Sequence, residues 1–205
     1  GAWRFPLLVL FLTLSLPGRG ECGGSLPYKL ALPGRKISLP ADHYSPPDFR
    51  LEWWYYTGHL ESESGQQSVY QVTFFRFGLR DRQNDIKGKS PLFTELYMAH
   101  FAVSDIDRKK FFFRERVNRG YEGKAGAETD RYLGWNEDWK MAGDLKTHRI
   151  DVNDRGTRLS LSLNSLKSPV LHGDNGLSQK GAGEGHASYY YSLTRMKTDG
   201  ELTIN

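Results

Sequence analysis

Three ionisable side chains sit inside runs that otherwise alternate apolar and aromatic residues. Glu52 opens Glu-Trp-Trp-Tyr-Tyr-Thr-Gly58, Arg76 closes Gln71-Val-Thr-Phe-Phe-Arg76, and His100 lies within Leu96-Tyr-Met-Ala-His-Phe-Ala102. A carboxyl among rings becomes a general acid once burial raises its pKa, which makes Glu52 the first catalytic candidate. His100, between Ala99 and Phe101, is the second; it reads either as an acid/base or as a hydrogen-bonded core imidazole. Trp53, Trp54, Tyr56, Gln71, Thr73, Phe75, Arg76, Tyr190 and Arg195 are the candidate ligand-binding set. Rings with a few convergent polar groups suit an elongated apolar ligand with a polar end, and aromatic faces also stabilise a cation formed by protonating an alkene. Asp42, His43 and Asp48 lie just ahead, where a loop presents them at the mouth of such a pocket.

Other chemistries find no support. His172, Asp174, Glu184 and His186 have no compact metal-ligand spacing, so no metal or other cofactor is expected. Gly181-Ala-Gly-Glu-Gly185 follows no strand-to-helix unit and is no phosphate cradle. No Gly-x-Ser-x-Gly elbow is present, and the single cysteine, Cys22, lies ahead of the folded part. Net charge is +4, with basic and acidic residues interspersed, so nucleic acid is not an expected partner.

Strands must position these residues. From Leu51 onward, short alternating runs are separated by turns. Leu51 to Leu60, Ser68 to Phe77, Thr94 to Val103 and Lys110 to Arg116 read as a four-strand antiparallel meander, with a polar linker from Arg80 to Pro91. Residues 117 to 134, with Gly120, Gly123, Gly126 and Gly134, read as a long loop. Lys140 to Leu145, Arg149 to Val152 and Thr157 to Asn164 follow, and in the last Leu159, Leu161 and Leu163 share one face. Gly173 to Gly185 reads as a loop and Ala187 to Arg195 as a second aromatic strand, which Thr198-Asp199-Gly200 turns into Glu201 to Ile204. The pattern predicts an all-β antiparallel sandwich or barrel over residues 51–205. Alternation alone leaves either strand face as the interior.

Ahead of the strands, residues 25–50 form a Pro/Gly-rich approach loop. Residues 1–24 read as a signal peptide: Arg4, an apolar run from Phe5 to Leu16, then Pro17-Gly18-Arg19-Gly20. An exported, periplasmic or secreted protein is expected, and peripheral association with a cell envelope fits that location.

Asp42-His43, Pro47-Asp-Phe-Arg50, the Glu52, Gln71 and Leu96 motifs and Ala187-Ser-Tyr-Tyr-Tyr-Ser-Leu-Thr-Arg195 together resemble the AttH and carotenoid 1,2-hydratase family of lipocalin-like proteins, from about Leu39 to the end. The resemblance implies a lipocalin-like β domain, the first of a tandem of two, with an isoprenoid or lipid-like ligand held in or between them. It also implies a hydratase or hydrolase, with a non-catalytic lipid carrier or sensor as the alternative.

Overall fold

The computed structural model describes residues 28–79 and 94–205. The signal-peptide reading and the whole Arg80–Pro91 linker lie outside these residues. The meander forms as the alternation predicts. Leu51–Glu61 (β1), Gln67–Gly78 (β2), Glu95–Asp105 (β3) and Lys110–Arg119 (β4) pair antiparallel in chain order.

A second sheet faces it. Ala125–Ala127 (β5), Tyr132–Asn136 (β6), Trp139–Gly143 (β7), Thr147–Asp154 (β8) and Thr157–Ser165 (β9) are neighbours in sequence order. Val170–Leu171 (β10), Leu177–Gln179 (β11), Ala187–Tyr189 (β12) and Tyr191–Ser192 (β13) make two small ribbons, β10 with β13 and β11 with β12. Met196–Thr203 (β14) then returns to pair with β9 and completes six strands. The β8–β9 hairpin turns through Arg155 and Gly156, both at positive φ, the backbone that a two-residue turn matched to strand twist requires.

The core lies between the sheets. Tyr70, Val72, Phe74, Ala99, Phe101 and Val103 meet Trp139, Met141, Ile150, Val152 and the predicted Leu159, Leu161, Leu163 face. Phe101 stands edge-on to Trp139, with centroids 5.9 Å apart. Burying each such large apolar side chain contributes about 1.5–3 kcal/mol, so this layer carries the domain without a disulfide.

Four sequence expectations are corrected. Gly173 to Gly185 is not one loop, because β11 lies within it and pairs with β12. Residues 117–134 are not a loop, because β4 continues to Arg119 and β5 and the start of β6 fall there. Gly126 lies under the Trp135 ring, where a Cβ would come within 2.4 Å, so this glycine marks a close approach inside a ladder. Ala187 to Arg195 is two short strands, because the segment hands over at Tyr190 from β11 to β10. Thr198-Asp199-Gly200 is no turn: Gly200, at φ +154, pairs with Leu161, and a Cβ there would meet the Ser160 carbonyl oxygen at 2.1 Å, so glycine keeps β14 continuous.

Candidate functional site

Strand β1 divides two chemically different surfaces. Its even-numbered residues, Glu52, Trp54 and Tyr56, face the inter-sheet interior, and its odd-numbered ones, Trp53, Tyr55 and Thr57, face outward.

On the inner side the approach loop closes one end of the sandwich. Ala41–His43 form one 3-10 turn; the Asp42 carboxylate accepts the Ser38 N–H at 2.6 Å and pairs with Arg35. This turn drives the His43 ring inside, 4% exposed. It stacks on Tyr132 at 4.0 Å, stands edge-on to His148 at 5.2 Å, and joins its Nδ1 to the Tyr191 hydroxyl. His148 Nδ1 lies 3.0 Å from the Tyr56 hydroxyl, which also bonds that of Tyr132. Both Nε2 atoms are buried without a hydrogen-bond partner.

Burial sets the charge state of this cluster. Desolvation, then the neighbouring His148, lowers His43 to about 4, and desolvation lowers His148 to about 4. Desolvation likewise raises Tyr56, Tyr132 and Tyr191, so all three phenols keep their protons. Burial pushes the Glu52 carboxyl up to about 7 against the pull of Arg76. At neutral pH the cluster holds two uncharged imidazoles, while Glu52, opposite Arg76 and on the same face of β1 as Tyr56, is a carboxyl poised to give or take a proton.

The outer face of the four-stranded sheet is the second surface. Ladder register places Leu51, Phe77, Leu96 and Arg119 in one row and Trp53, Phe75, Met98 and Val117 in the next. A third row, Tyr55, Thr73, His100 and Glu115, is polar, with His100 Nε2 2.9 Å from Glu115 Oε2. Where one side of an antiparallel sheet packs on a core, the other is ordinarily polar. Here seven of the eight residues in two adjacent rows are apolar. The strip crosses four strands, roughly 14 Å at about 4.8 Å per step. Tyr190 closes its β1 end, with its ring 6.1 Å from Trp53 and its hydroxyl 3.1 Å from that of Tyr55.

The residues singled out from sequence therefore divide. Trp53, Gln71, Thr73, Phe75 and His100 share the outer face with Tyr190, whereas Glu52, Trp54, Tyr56 and Arg76 share the inner one. Arg76 is spent on architecture: it donates to Glu95, to the Pro46 carbonyl at 2.9 Å and to the Phe49 carbonyl at 2.8 Å. Arg195 is exposed and joins neither surface; its carbonyl accepts the Leu166 N–H. His172 stacks on Tyr190, and among the described residues no three acidic, histidine or cysteine side chains gather as metal ligands. Tyr132 and His148 were missed. His148 alternates with Ile150 and Val152, so the inward face of β8 was the available signal. An open depression of about 200 Å³, lined by Asp138, Asp151, Val152, Asn153 and Arg158, sits at the other end of β8 and takes no part in either surface.

Two facing antiparallel sheets, with strands making up nearly all of the regular structure among the described residues and a loop closing one end, define an all-β lipocalin-like domain. A family profile of AttH-like proteins matches residues 30–205, and the chain belongs to the AttH-like family. It is similar to a crystal structure of a Nitrosomonas europaea protein described as a candidate AttH, with 28% identity and a TM-score of 0.73 over 85% of this chain. That match takes in 54% of the other protein, so the chain spans about half its length. Among curated proteins none matches.

Proposed function

We propose that this domain binds an elongated apolar ligand, of isoprenoid or lipid type, across the outer face of the four-stranded sheet. The observation that carries this reading is the two-row strip from Leu51 and Trp53 to Val117, apolar on a face that solvent would make polar. The interior supports it indirectly, since Phe101, Trp139, Met141, Ile150 and Leu159 fill the space between the sheets. The polar row of Tyr55, Thr73, His100 and Glu115 runs along one side of the strip and suits a ligand with a single hydrophilic group. The leader-like residues 1–24 support action outside the cytoplasm, with the envelope as the source of such a molecule.

Carriage is favoured over alkene hydration by one observation: Glu52, the acid that hydration would use, faces away from the strip. Titration of the purified chain with farnesol and with a long-chain fatty acid, followed by tryptophan fluorescence, tests the reading. Saturable binding that falls at least tenfold in Trp53→Ala and Phe75→Ala is expected. Binding unaffected by either substitution, or no saturable binding, would overturn it. Recovery of hydrated product from an alkene ligand would restore the hydratase reading.

A further inference from the structure

Tyr189, Tyr190 and Tyr191 are consecutive, and each touches a different part of the molecule. The Tyr189 hydroxyl donates to the Leu32 carbonyl at 2.8 Å and accepts the Leu32 N–H at 2.9 Å, while its ring meets Phe49 edge-on and lies under the Arg35 guanidinium. Tyr190 points the opposite way, to Trp53 and Tyr55 at the end of the apolar strip, and stacks on His172 at 4.2 Å. Tyr191 points inward again, to His43. Tyr190 and Tyr191, neighbours in the chain, thus reach the outer surface and the buried histidine cluster respectively.

We propose that His43 and Tyr191 are a positioning pair for the ligand strip: the imidazole anchors Tyr191 between the sheets, and strand alternation then holds Tyr190 over Trp53 and Tyr55. The pair acts through Tyr190 and does not itself touch ligand. The part concerning ligand rests on the function proposed above, whereas the mechanical link does not. Two main-chain bonds transmit it, Tyr190 N–H to Gly176 carbonyl at 2.7 Å and His172 N–H to Tyr190 carbonyl at 3.0 Å, both in the same two-residue step.

The anchor depends on a neutral imidazole. His43 is faced by Tyr191 from β13, Tyr132 from β6, His148 from β8 and the Asp144 turn, with Asp42 beside it in its own loop; Glu52 and Asp42 both act on Tyr191. Protonating His43 puts a charge 5.2 Å from a second imidazole, on a ring whose buried Nε2 makes no hydrogen bond and which only the Asp144 turn favours in its charged form. It also removes the lone pair on Nδ1 that takes the Tyr191 proton. Acid therefore loosens the anchor and, through it, Tyr190.

The test uses Tyr191→Phe, which removes one oxygen, and His43→Phe. Hydrogen exchange without ligand is expected to show lower protection at the Tyr190 and His172 amides in both variants, with β7 to β9 unchanged. Farnesol affinity is expected to fall roughly tenfold in Tyr191→Phe. In the wild type it is expected to weaken as pH drops toward 4, and that dependence is expected to flatten in His43→Phe. Unchanged protection and affinity in Tyr191→Phe overturn the proposal. If His43→Phe does not fold, Tyr191→Phe with the wild-type pH profile decides. Lower protection in variants of a chain that never binds farnesol would leave the mechanical link standing and reject the ligand reading instead.

Discussion

Glu52 and Arg76 stand directly opposite each other in the β1–β2 ladder, on the inner face, yet they form no salt bridge. The guanidinium turns to Glu95 and to two carbonyls of the approach loop, Pro46 and Phe49. A carboxyl that faces a cation without pairing keeps much of its desolvation cost, which is why Glu52 rises while Arg76 stays committed to the loop.

Arg76→Met removes two of the loop's main-chain anchors and takes the guanidinium away from Glu95, which keeps its bond from the Tyr97 hydroxyl. Removing one member of a buried pair costs about 3–5 kcal/mol. Chemical denaturation is expected to show a loss of that order, and proteolysis to begin between residues 46 and 50. Cleavage elsewhere first would mean that the loop is held by other contacts.

Glu52 and the two histidines make opposite contributions to stability in overlapping pH windows. The folded-state pKa of Glu52 is raised, from 4.5 to about 7, so its contribution is greatest below 4.5 and is lost as pH climbs to 7. His43 and His148 are lowered from 6.5 to about 4, so theirs is present above 6.5 and is lost as pH falls to 4. At about 1.4 kcal/mol per pKa unit each group is worth about 3 kcal/mol. Two histidines outweigh one carboxyl, and these groups together make stability rise with pH between about 4.5 and 6.5.

Glu52→Gln is accordingly expected to steepen that rise from roughly one proton to roughly two. Urea denaturation at a series of pH values measures the slope directly. An unchanged slope would show that Glu52 ionises in the folded state as it does in the unfolded one.

His148→Phe should do the reverse, making the slope shallower by about one proton. The ring is retained against Tyr132, and Tyr56 keeps its bond to the Tyr132 hydroxyl. A variant as acid-sensitive as the parent would shift the titration to other groups.

Gly143 pairs with His148 across the β7–β8 ladder at φ +150, and a Cβ there would stand 2.1 Å from the Thr147 carbonyl oxygen. Gly143→Ala is expected to cost on the order of 1–3 kcal/mol through backbone strain. It should also displace the imidazole signals of His148 in NMR spectra. Unperturbed His148 resonances would mean that the strain is absorbed in the turn at Asp144.

Much of this was legible in alternation. The four-strand meander and the Leu159, Leu161, Leu163 face follow from period-two patterning, whereas the candidate set mixes Trp53, Phe75 and Tyr190 of the outer face with Trp54, Tyr56 and Arg76 of the inner one. Which face of β1 is interior was not legible, because Glu-Trp-Trp-Tyr-Tyr is amphipathic on neither side. The side of Glu52 was decided by the packing of Tyr56 against Tyr132 and His148 on the opposite sheet, contacts 76 and 92 residues apart in sequence. Gly126 and Gly200 misled for a related reason. A glycine needed because a ring or a carbonyl passes close by looks the same in sequence as one needed for a turn.

The three tyrosines of residues 189–191 also constrain how this segment can change length. Deleting or inserting one residue between Ala187 and Tyr190 exchanges the sides of Tyr190 and Tyr191, putting the histidine partner outside and the Trp53 partner within. Changes of two residues restore the original sides. Natural relatives should therefore vary in the Gly173–Gly185 stretch and keep odd-numbered insertions out of the few residues that follow it.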